Sequence, residues 1–333
     1  PSPLQHPRFA PHQDSRFMQH NIPANFTLPD RQSLASRIEV HPIPSLTLSD
    51  TQFLRGDRAA GIPVTIAGVL RVAQGSGRLP LVVLVHGSGG INSGIDAWEQ
   101  LFLSAGIATL TLDGFTGRGL RSVNADQSQL GRLAMIVDAY RALAMMAAHP
   151  LIDPSRIVLM GFSRGGQTAL YAALQRFHTL WNDSGATFAG YLPFYPDCST
   201  RYQQDTEMVD HPIRIHHGTA DDYDTFAHCV DHVARLQAAG ANVRLTPYEG
   251  ARHAFDVPLL GTLPVALKEA QTVRNCEICE DDHGRLVNMA TGQPFSYDDD
   301  DVEYGPHVAY SPHALQVARG AVMQDLDEIF NLT

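Results

Sequence analysis

Apolar residues along this chain follow two periods that take turns. "LPLVVLV" (79–85) is apolar throughout, as a strand covered on both faces must be. "IPVTIAGVLRVA" (62–73), "IATLTLD" (107–113) and "RIVLMG" (156–161) read as further strands. So do "ATFAGYLPFYP" (186–196), "PIRIHHG" (212–218) and "ANVRLTPYEG" (241–250). Helical spacing fills the gaps at 94–106, 130–150 and 225–239, and a further helix opens at Gly165. A last helix is expected at about 312–331. Strands alternating with helices imply a mostly parallel central sheet with helices on both faces. Residues 1–50, rich in proline and polar side chains, read as an extended arm. Residues 51–273 form the expected core, and 274–333 an acidic excursion with the terminal helix packed on that core.

The strand "RIVLMG" runs into Gly161-Phe162-Ser163-Arg164-Gly165, a G-x-S-x-G sequence placed between a strand and a helix. A turn this tight strains the serine backbone and lifts its hydroxyl above the sheet, while small neighbours avoid collision. The helix N-terminus adds partial positive charge beneath a developing oxyanion. A serine hydroxyl needs a base, and the base needs an orienting acid. Asp221 follows the strand "PIRIHHG", and His253 follows "VRLTPYEG". Both therefore fall on the sheet edge that carries Ser163, in the order serine, acid, histidine. Asp222 is the rival acid, although it could equally cap the next helix. Two backbone donors should hold the oxyanion: the amide of Arg164, and that of Ser88 in His86-Gly87-Ser88-Gly89-Gly90. His86 is expected to hold that loop rather than act as a base.

Composition narrows the partners. Among 333 residues, 44% are hydrophobic and 18% charged, and the net charge of −11 leaves no basic stripe for nucleic acid. No apolar run is long enough to span a membrane. Of four cysteines, Cys198 and Cys229 flank loops of the active edge. A bridge between them would indicate an oxidising compartment, periplasmic or secreted. Cys276 and Cys279 form a lone CxxC, too few ligands for a structural zinc site. His228 and His232 stand four apart without an evident third ligand, and "YDDDDVEYG" (297–305) lacks the spacing of a calcium loop.

Together, "HGSGG" (86–90), "GFSRGG" (161–166), "HGTADDY" (217–223) and "YEGARHAFD" (248–256) resemble the α/β-hydrolase superfamily. Within it the chain is most similar to the dienelactone hydrolase family, over roughly residues 60–260. The resemblance implies an α/β-hydrolase fold and an ester-hydrolysing enzyme, and because no long insertion separates the strands on the active edge, no large lid is expected. One departure is that the founding members of that family resemble enzymes with a cysteine nucleophile, whereas this chain carries Ser163. General carboxylic ester hydrolysis is therefore expected, with no cofactor and no metal, on a small or medium ester or one carried on a polymer. The prolyl oligopeptidase family shares a similar serine elbow. Its usual N-terminal domain does not fit into the 60 or so residues ahead of this core. A non-catalytic binding protein would generally have lost one member of the triad. Phe115, Phe162 and Tyr195 are expected to line the substrate pocket. Arg118 could reach the cleft and pair with an acidic substrate group, or pin a loop instead.

Overall fold

The eight-stranded sheet of this chain is built as the alternation requires, with one additional strand at its edge. The structure is a computed structural model and describes residues 34–331. Its strands are β1 (Arg37–Thr47), β2 (Ile62–Val72), β3 (Leu79–Val85), β4 (Ala108–Asp113), β5 (Ile152–Phe162), β6 (Gly190–Phe194), β7 (Ile213–Gly218) and β8 (Val243–Tyr248). They lie in the order β1-β2-β4-β3-β5-β6-β7-β8. The β1–β2 and β2–β4 pairs are antiparallel, and every other pair is parallel.

The pleat of β3 explains its unbroken apolar sequence. Leu81, Val83 and Val85 enter one core layer, while Val82 and Leu84 enter the other. The first layer is covered by α3 (Ala134–Ala147), α4 (Arg164–Tyr171), α5 (Gln175–Trp181) and α6 (Phe226–Ala238), together with the short α1 (Asp50–Leu54). The second is covered by α2 (Ser93–Ser104), through Ile95, Trp98 and Phe102, and by α7 (Pro312–Phe330). Each such side chain taken fully out of water contributes about 1.5–3 kcal/mol.

The start of the core moves relative to the sequence reading. Residues 37–47, assigned there to an arm, pair with β2 over all eleven positions, from Arg37 opposite Val72 to Thr47 opposite Ile62. Pro42 and Pro44 made this segment read as irregular. An edge strand tolerates them, because only one side of it needs backbone donors. The arm's residues 1–33 lie outside the described residues. At the other end, residues 265–308 carry short strand pairs, Gln271–Thr272 with Glu303–Tyr304 among them, and lie over the sheet edge that bears Ser163.

Candidate active site

Ser163 sits between β5 and α4 with φ 54° and ψ −117°. That is the left-handed side of backbone space, which costs a non-glycine residue about 1–3 kcal/mol. The surroundings hold it there: its N–H donates to the Phe194 carbonyl at 3.0 Å, and its own carbonyl accepts the Gln167 N–H at 2.7 Å. The flanking glycines answer a space requirement. A Cβ on Gly161 would fall 2.0 Å from the Gly165 carbonyl oxygen, and one on Gly165 would fall 2.1 Å from that of Val85. Gly165→Ala must therefore push α4 off β3. It is expected to destabilise the fold by about 3 kcal/mol or more, read by urea denaturation. Stability within about 0.5 kcal/mol of wild type would contradict this packing.

The turn after β7 brings Asp221 under the loop that follows β8. One Asp221 oxygen, Oδ2, lies 2.8 Å from Nδ1 of His253. The other accepts the backbone N–H groups of Tyr223 at 2.8 Å and Asp224 at 3.0 Å. Both side chains are buried. Burial alone would raise the Asp221 carboxyl, but the His253 charge and hydrogen bonds from His217 and His253 outweigh it and hold it well below the usual range. Burial likewise pulls the His253 imidazole down, while the Asp221 carboxylate and its hydrogen bond pull harder and leave it above 6.5. The rings of Tyr195 and Tyr223 flank the imidazole, with centroids 4.7 and 4.6 Å away. Asp222 turns the other way, its carboxylate meeting Nδ1 and the backbone N–H of His307 at 2.8 and 2.9 Å.

The loop of residues 86–90 lies against the serine: a Cβ on Gly87 would come within 3.1 Å of the Ser163 Cβ. Neither the Ser88 amide nor the Arg164 amide donates to another backbone group in a turn or loop among the described residues. For Arg164 this is the ordinary condition of a first-turn helix donor. His86 is locked in place, Nδ1 being 2.8 Å from the Gly87 carbonyl and Nε2 accepting the Gly114 N–H at 3.2 Å. Burial depresses its pKa, which suits a neutral ring that holds a loop.

Beside Ser163 lies a cavity of about 40 Å³, lined also by Ser88, Gln127, Arg132, Gln167, Tyr223 and Asp224. That is room for about three water molecules. Gln271, Thr272 and Val273 at the end of the expected core, and Tyr297 of the C-terminal excursion, form part of its wall. Gln271 accepts the Gln127 N–H at 2.8 Å, and the Thr272 hydroxyl donates to the Tyr223 carbonyl at 2.6 Å, which seats that wall. Burial raises the Asp224 carboxyl well above its ordinary pKa. Arg132 is held by Asp197, Thr200 and the Tyr297 hydroxyl, and Arg164 by Gln127 and the carbonyls of Leu130 and Gly131.

None of the four pocket residues expected from the sequence lines this cavity. Arg118 pins a loop, its guanidinium meeting Asp138 twice (2.8 and 2.9 Å) as well as the Gly114 and Leu46 carbonyls. Phe115 packs edge-on against His86, and Phe162 is buried in the second core layer. Tyr195 touches His253 with its ring, but its hydroxyl donates to Asp256 at 2.7 Å in the interior. Apolar type and nearness to the edge favoured the three aromatic side chains, and the core claimed them. Tyr223 was within reach of sequence reasoning, because it closes the "HGTADDY" motif. The wall from 271–273 and 297 carried no spacing signal. Cys198 and Cys229 are joined in a disulfide, and Cys276 and Cys279 are free.

Comparison with known proteins agrees with this architecture. Among curated proteins, the chain is 32% identical over 111 residues to an uncharacterized 31.7 kDa protein of the traX-finO intergenic region of Escherichia coli. That stretch is 33% of this chain and spans only 38% of the relative's length. Among solved structures, a dienelactone hydrolase-like promiscuous phosphotriesterase from metagenomic libraries superposes with a TM-score of 0.55 at 16% identity. The match covers 88% of this chain and 98% of that one, a likeness of fold. Residues 66–271, well over half the chain, match the model of one family along the stretch that holds β3 to β8 and the elbow. The chain thus belongs to the dienelactone hydrolase family, on an α/β-hydrolase fold.

Proposed function

We propose that the chain is a serine-dependent carboxylic ester hydrolase that works through an acyl-enzyme. The observation that carries this reading is the 2.8 Å pairing of Asp221 with His253 Nδ1, on the same sheet edge as the strained Ser163 elbow. With Nδ1 engaged by the carboxylate, Nε2 is the ring atom free to accept a proton. Ser163 Oγ attacks the acyl carbon while His253 takes its proton, and Asp221 orients the imidazole and stabilises its charged form. The amides of Ser88 and Arg164 supply the oxyanion donors, each worth about 3 kcal/mol of barrier lowering. His253 returns the proton to the departing alcohol. Water then attacks the acyl-enzyme with His253 again as base, releasing the acid and restoring Ser163.

The small polar cavity supports a short acyl group. Arg132 Nε and Gln167 Nε2 are buried without a hydrogen-bond partner among the described residues, and both residues line the cavity. Substrate oxygens that accept these donors would relieve an otherwise unfavourable burial. A series of p-nitrophenyl esters tests this reading, with acetate or propionate expected to turn over fastest and decanoate slowest. Preferential cleavage of a peptide p-nitroanilide would overturn it in favour of a peptidase. The Cys198–Cys229 disulfide supports work in an oxidising compartment, periplasmic or secreted. Closing a loop with a sequence separation of 31, it is expected to contribute about 3–4 kcal/mol. Denaturation with and without reductant measures that contribution, and identical curves would remove this support.

A further inference from the structure

A second cluster of chemistry-bearing side chains lies on the edge strand β1, four strands away from β5, where no step of ester hydrolysis needs it. Glu39 and His41 stand two apart on β1 and so share one face of the strand. That face carries Ile43 into the core and turns polar at these two positions. His149 joins them from the turn between α3 and β5. One carboxylate oxygen, Glu39 Oε2, lies 3.1 Å from His41 Nε2 and 3.3 Å from His149 Nε2, and all three donor atoms fall within 4.8 Å of one another.

We propose that Glu39, His41 and His149 form a zinc site that staples the edge strand β1 to the α3–β5 turn. Two imidazole nitrogens and a carboxylate oxygen are a ligand set that Zn²⁺ takes, with water in the fourth position. Ligands held 2.0–2.1 Å from one ion at tetrahedral angles are about 3.3 Å apart, close to both glutamate–histidine separations here. Only the histidine–histidine pair has to close. His41 Nε2 is buried and near the carboxylate, yet out of line for a hydrogen bond with it, as an atom facing a shared ion would be.

The remaining contacts define what capture changes. The Arg37 guanidinium lies 2.7 Å from Glu39 Oε1, which leaves Oε2 to the histidines. His149 Nδ1 accepts the Leu151 N–H at 3.3 Å; metal on Nε2 moves the ring proton to Nδ1 and gives up that long bond. The Glu39 and His149 side chains are only 17% and 12% exposed, and His41 20%, so solvent reaches the fourth position without flooding the site. Four strand spacings, from β1 through β2, β4 and β3 to β5, separate this cluster from the strand that carries Ser163, ~19 Å. The metal therefore acts on the stability of β1 and leaves the serine chemistry alone.

The test is equilibrium dialysis of the full chain, stripped with a chelator and then exposed to Zn²⁺, with the bound metal quantified. His41→Gln, His149→Gln and the near-isosteric Glu39→Gln go alongside. Wild type is expected to hold one tightly bound Zn²⁺ and to melt at a higher temperature with it. Each variant should bind that ion about tenfold or more weakly and lose the thermal shift. Substituted Co²⁺ should give the strong visible absorption of a tetrahedral ion in wild type only. Ester turnover should be unchanged in all three variants, which also shows that they are folded. No saturable Zn²⁺ in wild type would overturn the proposal, as would equal binding by wild type and the variants.

Discussion

Ser163→Ala is expected to lower kcat for a short acyl ester by about 10⁵–10⁶-fold, with the melting temperature nearly unchanged. The hydroxyl is the only group removed, and nothing on the elbow loses a backbone partner. Alanine must still adopt φ near 54°, a strain the wild type already bears. The Phe194 and Gln167 backbone bonds that hold this conformation do not involve the side chain. Some acceleration over water should survive, because the Ser88 and Arg164 amides and the cavity remain in place. Parallel measurement of kcat and thermal unfolding checks both halves. Turnover within about tenfold of wild type would place the chemistry elsewhere.

Asp221→Asn should follow closely, with kcat falling by about 10⁴-fold. An amide in that position no longer stabilises the imidazolium and can hold the wrong tautomer. Asp224 is the one neighbour that could take over, its Oδ2 lying 3.9 Å from His253 Nδ1. Burial raises that carboxyl's pKa, which works against the charge it would need in order to replace Asp221. The pH profile separates this loss from a simple structural one. His253 acts as a base only when neutral, and its pKa is raised above 6.5 in the folded enzyme. Wild-type kcat/KM should therefore rise with pH along a limb centred above 6.5 and fall away in acid. In the variant, burial is no longer opposed by the carboxylate, and the limb should move to lower pH. A limb that stays in place after the substitution would show that Asp221 does not govern this histidine.

The sheet was legible because its inner strands are buried on both faces and its helices show one apolar stripe. β3 is the clearest case, apolar at all seven positions because both core layers claim it. The elbow was legible for a different reason: glycines at 161 and 165 are demanded by backbone contacts near 2 Å, and such contacts leave a fixed spacing in the chain. Asp221 and His253 could be read from their places after successive strands. β1 was missed because Pro42 and Pro44 break the pattern, while its pairing on one side alone makes them tolerable.

The cavity beside Ser163 was not legible, because its lining comes from segments far apart in the chain. Gln127, Arg132, Tyr223 and Gln271 are brought together only by the tertiary fold. No local periodicity reports such a meeting. The polar character of the cavity also misled the reading, which sought aromatic walls. Phe115 and Phe162 were instead taken up by packing, and Arg118 by its pairing with Asp138.

The central claim, that Ser163 is the acylated nucleophile, is tested most directly by covalent trapping. The enzyme is treated with a fluorophosphonate, digested, and the modified peptide sequenced by mass spectrometry while residual ester turnover is followed. One adduct on Ser163, rising in step with the loss of activity, is the result this account predicts. Complete inactivation with the adduct on another residue, or full labelling of Ser163 with activity retained, would contradict it.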